Sequence, residues 1–416
     1  MYFKIALIVG LSMAAMHAGP ALANSPLSLK EAIDLARETA DPSVEAFRRR
    51  AESEEEDAVA ARAMPDPRVT IGAANLPVDD FSFTREQMTQ LQLAARQTFP
   101  RGNTLELNSR GRTIRSAEYT ARAQAQLDTL IREVSIAWFN VRFSYVAEEE
   151  LRTLYELLQE LSTQQESDFA SSGSAALQRI YRTELEQALI EDRLDAVVQN
   201  REQAVEGLAR YIGRSAAERI PADYTNHELM ILSEPQIQDA LELNPILISF
   251  EKQVQFANNG VALAKEAFKP EFGVEGRFGR RDGDRSDFAS VMLSFDVPLF
   301  TSKKQAPALR AAKRREQAAK LDRNALIRDL TRQALIHVSD ITKLHQRVRR
   351  FEGTTLERAN DAVIASRNAY GAGNIDFAEL VRAEITLRDL RLRRAALYRD
   401  LNIAKAKLKF IVGEVR

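Results

Sequence analysis

The chain contains one unit twice, and this duplication restricts its fold more than any other feature, because any architecture must be built equally well from both copies. Ala40-Asp41-Pro42-Ser43-Val44 followed by Phe47 aligns with Leu243-Asn244-Pro245-Ile246-Leu247 followed by Phe250, and the same offset carries Pro67 onto Pro270. Leu130-Ile131-Arg132-Glu133-Val134 aligns with Leu326-Ile327-Arg328-Asp329-Leu330 at a slightly different offset. Residues 173–213 then align without gaps with residues 373–413, pairing Arg182 with Arg382, Glu184 with Glu384 and Leu208 with Leu408. The first repeat is expected over residues 24–213 and the second over 232–416. Residues 214–231, with Pro221, Asn226 and His227 and little periodicity, read as a linker.

Most of each copy has helical spacing. Leu127, Leu130, Ile131, Val134, Trp138, Val141, Tyr145, Leu151, Leu154, Leu158 and Leu161 recur three and four apart, and Leu326, Leu330, Val338, Ile341, Leu344, Val348 and Phe351 answer them in the second copy. Descending helices follow, marked by Leu185, Leu189, Leu194, Val198 and Val205 and by Ile385, Leu397, Leu401 and Leu408, so each pair should pack as an antiparallel coiled coil. A helix from near Arg112 to near Ser167 would reach about 80 Å at about 1.5 Å per residue, which is the length of a spanning rod.

Each copy also holds two short runs of strict alternation, near residues 68–76, 89–97, 271–279 and 290–298. The last is the cleanest: Val291, Leu293, Phe295 and Val297 face one way and Met292, Ser294 and Asp296 the other. One apolar and one polar face over about nine residues is the pattern of a barrel strand with lipid outside and water inside. A hairpin lying on a soluble helical core would alternate in the same way. A small barrel needs about eight strands, so four strands imply that several chains contribute.

The remaining features are mostly exclusions. Lys4, the apolar run from Ile5 to Ala15 and Ala21-Leu22-Ala23 form a secretory signal pattern over residues 1–23, and no later run is long and apolar enough for a membrane helix. There is no cysteine, which excludes disulfides and thiolate metal sites. With Lys4 set aside, 57 of the 58 basic residues face 59 acidic ones, so nucleic acid is not an expected partner. His337 and His345 stand eight apart rather than four, and Asp282, Asp284 and Asp287 lack the spacing of a calcium loop. No phosphate-binding loop or nucleophile motif occurs, so neither an enzyme, a cofactor nor a metal centre is expected.

Together these features resemble the TolC family of outer-membrane efflux proteins over essentially the whole chain beyond residue 23. Leu27-Ser28-Leu29-Lys30-Glu31-Ala32 is similar to the family's opening segment, Pro298-Leu299-Phe300 to its strand-to-helix junction, and Tyr370-Gly371-Ala372-Gly373 to its second hairpin tip. Gln97-Thr98-Phe99-Pro100-Arg101-Gly102 departs from the usual first junction and resembles the heavy-metal efflux branch. The resemblance implies a mainly α fold with a small β part: long antiparallel coiled-coil helices forming a periplasmic tunnel, and four strands per chain in a trimeric twelve-stranded outer-membrane β-barrel. It implies a homotrimer in outer-membrane lipid that docks on a periplasmic adaptor (membrane fusion) protein serving an inner-membrane efflux pump, the resistance-nodulation-division type being one candidate.

Function in such a channel should concentrate at the periplasmic tips, near residues 169–176 and 370–376. Matching the family's inner hairpin from Tyr370 and Gly373 places Ile375 at its basic position, Glu379 at one acidic position and Arg382 at the next. The candidate gate is therefore Tyr370, Gly373, Asp376, Glu379 and Arg382, with Glu379 and Arg382 spaced to pair along one helix face. The candidate adaptor-docking tip is Phe169, Gly173 and Arg182. Two other readings stay open: a soluble periplasmic coiled-coil adaptor or scaffold, and an outer-membrane channel of a protein secretion system. Cargo, whether metal ions, drugs or proteins, is not expected to be readable from the residues.

Overall fold

The computed structural model describes residues 25–169, 175–224 and 231–413. The signal pattern, Gly173 and His227 lie outside the described residues. Ten helices and four strands are described, beginning with α1 (Leu29–Glu38), α2 (Pro42–Arg62), β1 (Arg68–Ala74), β2 (Gln90–Phe99), α3 (Thr104–Phe169), α4 (Ala175–Ile212) and α5 (Arg214–Ala217). The second copy supplies α6 (Glu234–Leu241), α7 (Pro245–Glu266), β3 (Glu271–Arg280), β4 (Phe288–Asp296), α8 (Gln305–Arg350), α9 (Leu356–Gly371) and α10 (Phe377–Val412). The order of elements thus repeats, and the long helix starts eight residues before the sequence expectation of Arg112.

Matching start signals explain why the copies begin alike. Ser28 caps α1 by accepting from the Glu31 amide at 3.1 Å, and Ser233 caps α6 in a capping box with Gln236. Asp41-Pro42 and Asn244-Pro245 open α2 and α7, with Pro at the first helical position, where its missing N–H is not needed. The two caps differ in depth. Asp41 accepts from Ser43 N at 2.8 Å, whereas buried Asn244 accepts from Ile246 N at 2.9 Å and also donates Nδ2 to the Ile411 carbonyl at 2.8 Å.

Contacts divide the chain into two compact units that do not follow the repeats, because the long helices run from one into the other. One unit gathers the segments up to Thr39, Glu133–Leu229 and Lys343–Ile403; the second gathers Ala40–Arg132, Met230–Thr342 and Ala404–Arg416. In the first, Trp138 is fully buried, donates Nε1 to the Leu27 carbonyl at 3.0 Å and meets Phe139 and Tyr224 edge-on. The segment expected as a linker is tied down at its start, for α5 covers Arg214–Ala217 and Leu27 pairs in parallel with Pro221. Arg219 reinforces this closure with a 2.7 Å ion pair to Glu31.

The second unit holds one antiparallel sheet in the order β1-β2-β3-β4. Its register settles which residues share a face. Val69 opposes Ala95, Gly276 and Val291, while Ile71 opposes Leu93, Phe278 and Ala289, and Phe99, Phe272 and Phe295 form a third row. All of these lie on one face, because direct partners in a ladder point the same way. The other face carries Arg68, Gln92, Arg96, Glu275, Arg277, Ser290 and Ser294. The apolar face is bare: Ile71 is 73% exposed, Val291 78% and Leu293 64%. A hairpin resting on a helical core would have buried these side chains. Phe99 and Phe272 stack at 4.8 Å at the end nearest the helices, where an aromatic girdle would stand in a membrane strand.

The caps supply a test of the repeat. Asn244→Ala should cost about 2 kcal/mol, since it removes both a cap and a buried hydrogen bond, and Asp41→Ala about half as much. Thermal unfolding midpoints of the two variants in the same detergent measure the order.

Candidate functional site

The best-defined tip is the reversal between α9 and α10. Ala372 N donates to the Asn368 carbonyl at 3.1 Å, Gly373 N to Tyr370 at 2.9 Å and Asn374 N to Ala369 at 2.9 Å. Gly373 has φ +72°, a left-handed backbone that a side chain would strain, so glycine sets the turn. Asp376 then starts α10 by accepting from Glu379 N at 2.9 Å. Phe377 follows, buried against Leu154 and Leu158 of α3, Ile190 of α4 and Val381, with the Tyr370 ring edge-on at 5.9 Å. An apolar plug inside one unit therefore seats the α9–α10 hairpin.

Ion pairs surround that plug. Glu384 on α10 is 1% exposed and is held by Arg367 of α9, while its Oε2 has no hydrogen-bond partner. Glu150 of α3 accepts from Arg388 at 2.7 Å, and Arg193 of α4 reaches Asp389 at 2.6 Å. Glu148 is shared by Arg152 and Arg201 at 2.7 and 2.6 Å. A buried carboxylate that loses its cation is expensive, so Glu384–Arg367 matters more than the exposed pairs.

The sequence-predicted gate residues separate into two groups. Tyr370, Gly373 and Asp376 form the turn and its cap, as above. Glu379 and Arg382 are both exposed, and no ion pair joins them among the described residues. Arg382 instead lines a groove between α4 and α10 together with Arg182, Thr183, Glu186, Asp376 and Phe377. Repeat-related Arg182 and Arg382 thus meet in one place, although the sequence assigned them to different tips. Phe169 ends α3, and Gly173 lies outside the described residues. Phe377, Glu384 and Arg367 were not anticipated. The pairing of Glu184 with Glu384 could have signalled them, for Ser167 in the first copy stands where Arg367 stands in the second.

Farther along the second hairpin, α8 passes into α9 through a π-helical turn over Phe351–Thr355. The repeat offset is 196 at Leu130 and Leu326 but 200 at Gly173 and Gly373, so the second copy holds four additional residues in the interval containing this turn. One α turn takes about 3.6 residues, and a wider local turn absorbs part of the excess. Glu352 within it accepts from the Tyr398 hydroxyl of α10. Burial, with help from the Glu352 carboxylate, pushes Tyr398 up to about 12.

Among the described residues no group of three or more His, Cys, Asp or Glu side chains could hold a metal ion, and no helix is long and apolar enough to cross a membrane. Burial first, and then Lys407, hold His337 below the usual histidine range.

Two outcomes follow from the hairpin. Arg367→Met should destabilise the fold by about 3 kcal/mol because it strands Glu384, and Glu384→Gln in the same background should recover part of it, as denaturant midpoints would record. Since folding raises the Tyr398 pKa above its ordinary value of 10.0, its contribution is complete below pH 10 and falls as pH climbs through about 12. Tyr398→Phe should flatten stability against pH over that window.

Residues 236–414, nearly the whole second repeat, match the family described as outer membrane efflux protein. The alkaline protease secretion protein AprF of Pseudomonas aeruginosa is 25% identical over 200 residues, a stretch that spans 46% of this chain and 40% of that protein. The fold matches solved structures over nearly its full length. A membrane protein from Pseudomonas aeruginosa superposes with a TM-score of 0.77 at 15% identity, covering 92% of this chain and 93% of the other. The outer membrane protein VceC of Vibrio cholerae gives 0.75 at 16%, covering 92% and 96%. The CmeC outer membrane channel of Campylobacter jejuni gives 0.77 at 12%, covering 99% and 94%. The second repeat is thus similar to the outer membrane efflux protein family, and the fold over both repeats is that of these solved outer-membrane proteins.

Proposed function

We propose that this chain is one protomer of a trimeric outer-membrane conduit, which carries cargo from the periplasm to the exterior together with a periplasmic adaptor and an inner-membrane pump. One observation supports it above the rest: a four-stranded sheet with a bare apolar face and two unpaired edges, β1 and β4. In hydrocarbon each unpaired backbone group costs several kcal/mol, so such a sheet is stable there only when neighbouring copies close it. Three copies make twelve strands, in keeping with an even-numbered bacterial barrel. The soluble adaptor reading would require that face to be covered by the chain's own helices, and it is not.

Within this reading the tip closes the periplasmic end, with Tyr370, Gly373 and Asp376 shaping the turn and Glu379 and Arg382 exposed on the first turns of α10. Threefold symmetry makes rings of the last two. A second reading, export of a protein cargo by the same architecture, is favoured by the likeness to a protein named for secretion of alkaline protease.

The conduit predicts a detergent-dependent trimer whose electrophoretic mobility changes on heating. Leu293→Arg should weaken it by about 2–4 kcal/mol, whereas Met292→Arg on the opposite face should be tolerated. Recovery of a detergent-free monomer, or equal effects of the two substitutions, would falsify the barrel. In planar bilayers Glu379→Ala, alone or with Arg382→Ala, should change single-channel conductance, and unchanged traces would remove both residues from the gate.

A further inference from the structure

The polar face of the sheet carries a charge pattern that the conduit reading leaves unused. Along one row Arg68 stands directly opposite Arg96, Arg96 opposite Glu275, and Glu275 opposite Met292. The next row toward the β1–β2 and β3–β4 turns is Thr70, Ala94, Arg277 and Ser290. On the other side come Thr98, Gly273 and Ser294, and then Glu271 opposite Asp296.

Pairing leaves this face unevenly neutralised. Glu275 accepts from Arg277 at 2.7 Å, and Glu271 lies 3.8 Å from Arg101. Arg96 donates Nη2 to the Ser294 hydroxyl at 3.1 Å, and neither it nor Arg68 forms an ion pair among the described residues. Asp66, the other nearby carboxylate by sequence, precedes the paired part of β1. Like charges directly opposite on antiparallel strands destabilise a sheet, so Arg68 and Arg96 oppose its formation unless water or an anion screens them. Both are exposed and can meet one.

We infer that Arg68 and Arg96 form a cationic belt inside the barrel that binds multivalent anions in transit, such as cargo bearing several phosphate or carboxylate groups. This rests on the conduit reading, which makes the polar face the lumen. Three copies place six guanidinium groups around one level, with a forked donor geometry that suits phosphate and carboxylate oxygens. Because Glu275 of the same row is taken up by Arg277, the Arg68 and Arg96 level keeps a net positive charge that concentrates anions near it, and the effect weakens as salt shortens the screening length. Conduction requires such binding to be weak enough for release.

Sided addition to the assembled channel in planar bilayers tests the belt. Tripolyphosphate added on the side of the β1–β2 and β3–β4 turns at low salt should reduce the wild-type current. R68Q/R96Q should need about tenfold more for the same reduction, and R68K/R96K should retain most of the response. R280Q, on the apolar face, should behave as wild type, and heat-modifiable trimers of each variant show that the barrel has formed. A wild-type channel that ignores tripolyphosphate, or equal block in wild type and R68Q/R96Q, overturns the belt alone. A wild-type protein that forms no channel overturns the conduit reading and the belt with it.

Discussion

Backbone hydrogen bonding at the edges of the sheet is the constraint on which the rest depends. Four antiparallel strands satisfy β2 and β3 on both sides but leave one side each of β1 and β4 open. In water such edges can be solvated; beneath a bare apolar face they cannot be, because the solvent that suits the face offers no hydrogen bonds. In the proposed conduit, closure by further copies meets both demands. Duplication makes it economical, since each chain supplies two hairpins of similar width and only the junctions between chains need a separate fit.

The duplication is also where the chain departs from symmetry. The first and second long hairpins have descending helices of 38 and 36 residues, but buried Glu384 of the second copy is held by Arg367, whereas the first copy has Ser167 and exposed Glu184 at the aligned positions. The π-helical turn at Phe351–Thr355 and the four additional residues around it belong to the second copy as well. Both differences act on the hairpin that carries Tyr370 and Phe377. Repeats that began alike have thus been adapted so that one hairpin packs through its tip onto α3 and α4 of the same unit.

Much of this is legible in the sequence. Asp41-Pro42 and Asn244-Pro245 announce helix starts by chemistry local to a few residues, and the alternation of Val291, Leu293 and Phe295 is a period-2 signal that tertiary context does not alter. The strand at Phe288–Asp296 begins two residues before the expected span because Phe288 and Ala289 extend the ladder opposite Gly279 and Phe278. What escaped depends on partners distant in sequence. Glu384 looks like any charged helix residue until α9 packs beside it, and Phe377 is one aromatic among many until α3 and α4 enclose it. Glu379 and Arg382 have the right spacing to pair, yet spacing only permits an ion pair; Arg382 lies instead in the groove with Arg182.

Magnitudes decide what seats the α9–α10 hairpin. Arg193 and Asp389 are 40% and 49% exposed, so their pair contributes at most about 1 kcal/mol and fades with salt. Arg388 and Glu150, at 14% and 20%, are better shielded, but forming the pair also requires their desolvation. Burying Phe377 is worth about 2–3 kcal/mol, and Leu154, Leu158, Ile190 and Val381 add comparable amounts around it. The apolar cluster therefore outweighs the ion pairs. Displacing the α9–α10 hairpin within this unit would be opposed chiefly by loss of that cluster, a term that salt does not screen.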